Sequence, residues 1–208
     1  MFEISLGVLA AFCFFALRNW TVGLYAFVVM ALIQDPLRKL VPGQPPIFIL
    51  FCGAVFAAAM AGAAASRINI FPNVIVGWYR HLNAPFTAFV LIVVAQAFNS
   101  LLRYANPMIP ALGLISYLAP FVALGLAFNF MDAGGVERVK SFLSFYFVCA
   151  SAALATLWLQ NFGFDWPILG EVGVGIQITD SAGTIIAHSG TFRASEIAAW
   201  HAATCSCL

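Results

Sequence analysis

Apolar runs, broken at short intervals by a proline or by one or two charges, constrain this chain more than anything else in it. Ile4 to Leu17 and Thr21 to Ile33 flank Arg18-Asn19-Trp20, and Ile47 to Ala65, Phe86 to Leu102, Leu112 to Phe130 and Val136 to Leu159 follow. Hydrophobic residues make up 63% of the chain and charged residues 8%, against roughly 25% charged in a soluble domain. So much apolar surface cannot be hidden in one core, and the medium it faces is lipid. The expected fold is an all-α polytopic membrane protein of about six transmembrane helices and the start of a seventh.

The first two runs are each shorter than the ~20 residues of a perpendicular span. They read either as a tight hairpin of two short helices or as one tilted helix with Arg18 facing protein. The stretch from Gln34 to Pro46 holds Pro36, Pro42, Pro45 and Gly43, which do not continue a helix, so a polar loop is expected there. Ile47–Ala65 is rich in Ala and Gly, residues that let helix backbones approach closely in lipid, and is expected at a packed interior position. Phe71, Ile75, Trp78 and Leu82 recur at helical spacing after Pro72 and predict an interfacial helix over 71–82; an ordinary loop is the alternative.

In the next run Gln96, Asn99, Ser100 and Arg103 are polar groups at a depth where such groups usually face a bundle interior or water. Arg103 reads as a substrate-binding cation or as an interfacial anchor. Pro107 and Pro110 interrupt the chain, Pro120 predicts a kink in the following span, and Asp132-Ala133-Gly134-Gly135 reads as a turn. Residues 1–160 thus form the helical bundle, and 161–195 the one long extramembrane loop. In that loop Val174, Ile176 and Ile178 alternate with Gly175, Gln177 and Thr179 ahead of Asp180-Ser181-Ala182-Gly183, with a second strand around Thr184 to His188. A β-hairpin is expected. Residues 196–208 begin a last helix. From Ile197 only twelve residues remain, roughly 18 Å of helix against ~30 Å of hydrocarbon, so the chain reads as the N-terminal part of a larger membrane protein.

Net charge is +1, and the nine Lys and Arg are scattered, which gives no field for nucleic acid. The five cysteines lie in apolar segments and are expected as free thiols. His201 and Cys205 share a helix face, but two ligands do not make a metal site, and neither a metal nor a cofactor is expected. Met1 to Leu17 has no basic n-region and no small-residue cleavage site, so it is not expected to be removed. Alternating crossings put Arg67, Arg80, Arg138 and Lys140 on one side and Arg38, Lys39, Arg103 and Arg193 on the other; Arg18 joins the first group if the first two runs form a hairpin, which places the long loop outside.

No nucleotide, zinc or nucleophile-elbow motif is present. The polar chemistry concentrates in Gly190-Thr191-Phe192-Arg193-Ala194-Ser195-Glu196-Ile197-Ala198-Ala199-Trp200-His201. Ser195 is expected to N-cap the last helix and Glu196 suits its first turn. Arg193 has no such structural reason; a guanidinium just outside a helix N-terminus suits a phosphate or diphosphate.

That stretch continued to Ala203, with Asp35-Pro36-Leu37-Arg38-Lys39-Leu40-Val41-Pro42-Gly43-Gln44-Pro45 and Gly113-Leu114-Ile115-Ser116-Tyr117-Leu118-Ala119-Pro120, resembles the first half of bacterial O-antigen ligases and polymerases. The resemblance implies a metal-independent enzyme of the bacterial inner membrane. It would move an oligosaccharide from an undecaprenyl-diphosphate carrier to a sugar acceptor on the periplasmic side, alongside other polysaccharide-assembly membrane proteins. Arg193 would bind diphosphate, and Glu196 or His201 would orient it or the acceptor. Those two lie about 140° apart on a helix, which leaves room for only one in a single site; Glu196 is the better placed. Full members carry further spans and a second outer loop, so these residues alone are expected to be inactive. The alternative is a transporter or lipid-linked-sugar binding subunit whose path runs past Gln96 and Asn99; a further possibility is a structural remnant.

Overall fold

The computed structural model describes residues 2–70, 79–170, 172, 177–180 and 183–208. The predicted interfacial helix over 71–82 lies mostly outside them; within them, Arg80–Leu82 forms one 3-10 turn. Two compact units are present, Met1–Gly62 with Glu137–Leu208, and Ala63–Val136.

The first unit opens with α1 (Phe2–Arg18) and α2 (Trp20–Lys39). Asn19 separates them in an extended conformation, φ −146° and ψ 102°. Its side-chain oxygen accepts from the Thr21 amide at 3.1 Å and the Thr21 hydroxyl at 2.8 Å, which occupies amides that the first turn of a helix leaves without a partner. The two runs therefore form a helical hairpin rather than one tilted helix. Small residues hold α1, α2 and α3 (Ile49–Ala65) together. A Cβ on Gly23 would fall 2.8 Å from Cβ of Ala59 and 2.9 Å from Cβ of Ala16, and one on Gly62 would fall 2.6 Å from the Ala16 carbonyl oxygen. Ala16, Met30, Phe48, Phe51, Val55 and Ala59 make the core between them. Only α2 of these three is both long and apolar enough to cross a membrane; α3, at 17 residues, is shorter than the ~20 of a perpendicular span.

The expected loop at 34–46 is corrected in its first half. Helix α2 continues through Gln34, Asp35 and Pro36 to Lys39. Chain reversal begins only at Leu40 and passes through Gly43 and Gln44, both at positive φ, and the Arg38 Nε donates to the Gln44 carbonyl at 2.8 Å.

The second unit contains α4 (Asn83–Tyr104), which ends where Ala105 turns left-handed at φ 49°. Asn106 then accepts from the Met108 amide at 3.0 Å and starts α5 (Met108–Asn161). Phe86 and Phe89 pack against Phe121, ring centroids 4.9 and 5.1 Å apart. Within α5 the backbone leaves helical geometry at Gly135, φ 64° and ψ −168°. The expected four-residue turn thus narrows to one glycine, and the expected kink at Pro120 is not a break in helical angles. The part of α5 before Gly135 belongs to the second unit and the part after it to the first.

Three helical stretches, Trp20–Lys39, Arg80–Tyr104 and Met108–Asn161, are long and apolar enough to cross a bilayer, and this marks a helical membrane protein. In the long loop, β1 (Gln177–Asp180) pairs antiparallel with β2 (Gly183–Ile186), Gln177 opposite Ile186 and Asp180 opposite Gly183; Val174 and Ile176 lie outside the described residues. The chain closes with α6 (Ser195–Cys207). A second core in the first unit joins Val28 and Leu32 of α2 to Phe192, Ala198 and Ile197, with Phe142, Phe145 and Tyr146 of α5 packed around them. Helix α2 is the shared wall, with α1 and α3 on one face and α5, α6 and the loop end on the other.

Candidate functional site

Asp35, Lys39, Thr156 and Gln160 of the first unit converge on the segment Gly190–Arg193. Asp35 and Lys39 are one helical turn apart on α2 and so share a face. Both are buried, at 4% and 7% exposure. The Lys39 Nζ donates to the carbonyls of Gly190 at 2.9 Å, Phe192 at 2.6 Å and Ile168 at 3.3 Å. Asp35 Oδ2 accepts from the Arg193 amide at 3.1 Å. An ammonium group has three protons and here all three have acceptors, which is the condition under which a lysine tolerates burial. Its place in the last turn of α2 adds the favourable field of the helix C-terminus.

The same segment is held from the other side by α5. Gln160 Oε1 accepts from the Gly190 amide at 2.8 Å, and Thr156 Oγ1 accepts from the Thr191 amide at 3.0 Å. Close approach is possible because residue 190 is glycine: its φ is +57°, and a Cβ there would lie 2.5 Å from Thr156 Oγ1 and 3.1 Å from the Leu157 amide nitrogen. The Arg193 carbonyl accepts from the Val172 amide at 2.9 Å. Both backbone groups of Arg193 are therefore pinned, and its side chain leaves from a fixed point.

Arg193 sits two residues before Ser195, the first residue of α6. The expected N-cap is corrected: Ala194 takes that position, φ −151° and ψ 151°, and supplies no side-chain cap. Ser195 is already helical. Among the described residues no carboxylate pairs closely with the Arg193 guanidinium, and the Asp35 carboxylate acts on its charge from farther off. An arginine and the lightly capped amides of a helix start both favour an anion at this place.

Glu196 and His201 point apart, as their spacing requires. Glu196 is exposed. His201 turns inward, its ring stacked on Phe192 with centroids 5.0 Å apart and 23° between planes, and its Nδ1 lies 2.8 Å from the Tyr146 hydroxyl. Phe192 is buried against it, so His201 meets the loop that carries Arg193 through that ring.

Arg103 belongs to the second unit. Its guanidinium lies over the Tyr104 ring, 5.6 Å from the centroid. With Gln96, Asn99 and Ser100 it lines a groove of about 550 Å³ between α4 and the start of α5. Asp35 and Lys39 are not among the site residues expected from sequence. Their signal was an Asp and a Lys four apart in a nearly uncharged chain, and reading Pro36 as a helix stop concealed it. No group of three or more potential metal ligands occurs among the described residues.

Comparison with known proteins returned no matching family model, no matching curated protein and no matching solved structure.

Proposed function

We propose that this chain is part of a membrane glycan ligase or polymerase that transfers an oligosaccharide from an undecaprenyl-diphosphate carrier to a sugar acceptor outside the bacterial inner membrane. In this reading the apolar helices make six spans and the beginning of a seventh, and the long loop is periplasmic. The supporting observation is the Asp35–Lys39 clamp on Gly190–Arg193. Two of the stretches that carry the resemblance, far apart in sequence, meet through three hydrogen bonds in the first unit.

The chemistry asked of such a site is simple in outline. An acceptor hydroxyl attacks the anomeric carbon of the carrier-linked sugar, and the carrier diphosphate departs with the bonding pair and takes up the hydroxyl proton. Charge develops on the leaving oxygens, and fixed cationic donors stabilise it. Arg193, held at both its amide and its carbonyl, supplies such a donor beside the start of α6. Glu196, exposed at the same helix end, orients the acceptor. His201 acts indirectly, by stacking on Phe192.

The test is binding of undecaprenyl-diphosphate-linked oligosaccharide to the detergent-purified protein. Arg193→Ala should weaken it about tenfold or more, the scale of one charge-assisted contact, while leaving thermal unfolding unchanged. Equal binding by wild type and variant would remove Arg193 from the site and the proposal with it.

A further inference from the structure

The groove of the second unit contains a polar stripe of particular register. Gln96, Asn99, Ser100 and Arg103 follow the spacing i, i+3, i+4, i+7 and occupy one face of α4, and all four line the same groove of about 550 Å³. Helix α4 lies within a candidate membrane span, Arg80–Tyr104. Among the described residues the side chains of Gln96, Asn99 and Ser100 have no hydrogen-bond partner. In hydrocarbon such groups are costly unless something satisfies them.

Their order along the helix says what that something is. Arg103 is at the helix end, where a candidate span meets headgroups. Measured down the axis from it, Ser100 lies roughly 4–5 Å deeper, Asn99 about 6 Å and Gln96 about 10 Å. Below them the groove is lined by Val93, Ile92 and Phe89. A cation at the surface, hydrogen-bond donors one to two turns deeper, then apolar wall is the mirror image of a glycerophospholipid. That molecule has a phosphate at the surface, two ester carbonyls beneath it and then acyl chain. A polyprenyl phosphate offers no acceptor below its phosphate and would leave the amides unsatisfied.

We propose that this groove is a site for an anionic diacylglycerophospholipid. Its phosphate pairs with Arg103, its ester carbonyls accept from Ser100, Asn99 and Gln96, and one acyl chain lies along Ile92 and Val93. The site goes beyond the glycan-transfer reading and does not depend on it.

The experiment is native mass spectrometry of the full chain in detergent, titrated separately with diester phosphatidylglycerol, its diether analogue, phosphatidylcholine and undecaprenyl phosphate. Diester phosphatidylglycerol should be retained about tenfold better than the diether, from a few intramembrane hydrogen bonds of modest strength each. It should also be retained about tenfold better than phosphatidylcholine, whose choline cation offsets the phosphate charge and is repelled by Arg103. Arg103→Ala should abolish the second preference, and Gln96→Leu with Asn99→Leu the first. Arg193→Ala should change neither, which separates this result from failure of the glycan-transfer reading. Equal retention of diester and diether would overturn the proposal, as would preference for undecaprenyl phosphate, which would turn the groove into a carrier path. A dimer that excludes lipid would overturn it too.

Discussion

The α2 corner at Asp35 and Lys39 and the α4 stripe from Gln96 to Arg103 both place polar side chains in apolar helices, yet they meet opposite conditions. At the corner, a buried ammonium and a buried carboxylate face backbone groups of one loop, at distances of 2.6 to 3.3 Å. On the stripe, three uncharged polar side chains open onto a groove and find no hydrogen-bond partner among the described residues. Satisfied polar groups inside a fold set geometry, because any other arrangement would strand them. Polar groups left open inside a membrane span are available to something that enters. The first pattern belongs to positioning and the second to binding.

The sharpest way to break this contrast is at Lys39. Lys39→Met removes three donors and leaves Asp35 buried beside no amine. A cost of about 3–5 kcal/mol is expected, the usual scale for breaking a buried charged arrangement, read as a lower unfolding temperature and faster trypsin cleavage after Arg193. Unchanged cleavage would mean that the clamp does not hold the loop.

Gly190→Ala comes next. The positive φ and the contact with Thr156 both oppose a side chain, and a loss of about 1–3 kcal/mol in thermal stability is expected. Full stability in this variant would show that the loop end can stand off from α5.

Tyr146→Phe deletes the partner of the His201 ring nitrogen and should cost about 1 kcal/mol. If carrier binding then falls as far as it does in Arg193→Ala, His201 contributes directly rather than through Phe192.

Gln96→Leu sits at the far end of the scale. Because that amide has no hydrogen-bond partner among the described residues, stability in detergent should change by less than about 0.5 kcal/mol. A large loss would show that the stripe is structural and would erase its difference from the corner.

Much of the helical framework was legible in the residues, and the reasons are local. The two short apolar runs are both helices, and the choice left open between a hairpin and one tilted helix is decided by Asn19 as the N-cap of α2. The small residues of Ile47–Ala65 announced close packing, and Ala59 and Gly62 supply it. Proline taken as a helix stop places the end of α2 too early. Pro36 lies inside α2, and the buried contacts of Asp35 and Lys39 reward the continued helix that local propensity opposes. At the other end, Ser195 had the right chemistry for a cap but the chain enters the helix one residue earlier, where Arg193 is already tied to Asp35 and Val172.

Composition and run length by themselves determined that the chain is helical and faces lipid, because apolar surface in such amounts has no other stable solvent. The sequence also set the mutual exclusion of Glu196 and His201, since the helical repeat decides which residues share a face. Which of them turns inward was a tertiary matter, settled by the pocket that Tyr146 and Phe192 form around one imidazole. So was the partnership of residues 35 and 39 with 190–193, since the strength of a hydrogen bond depends on distance and burial in space and leaves no periodic mark along a chain.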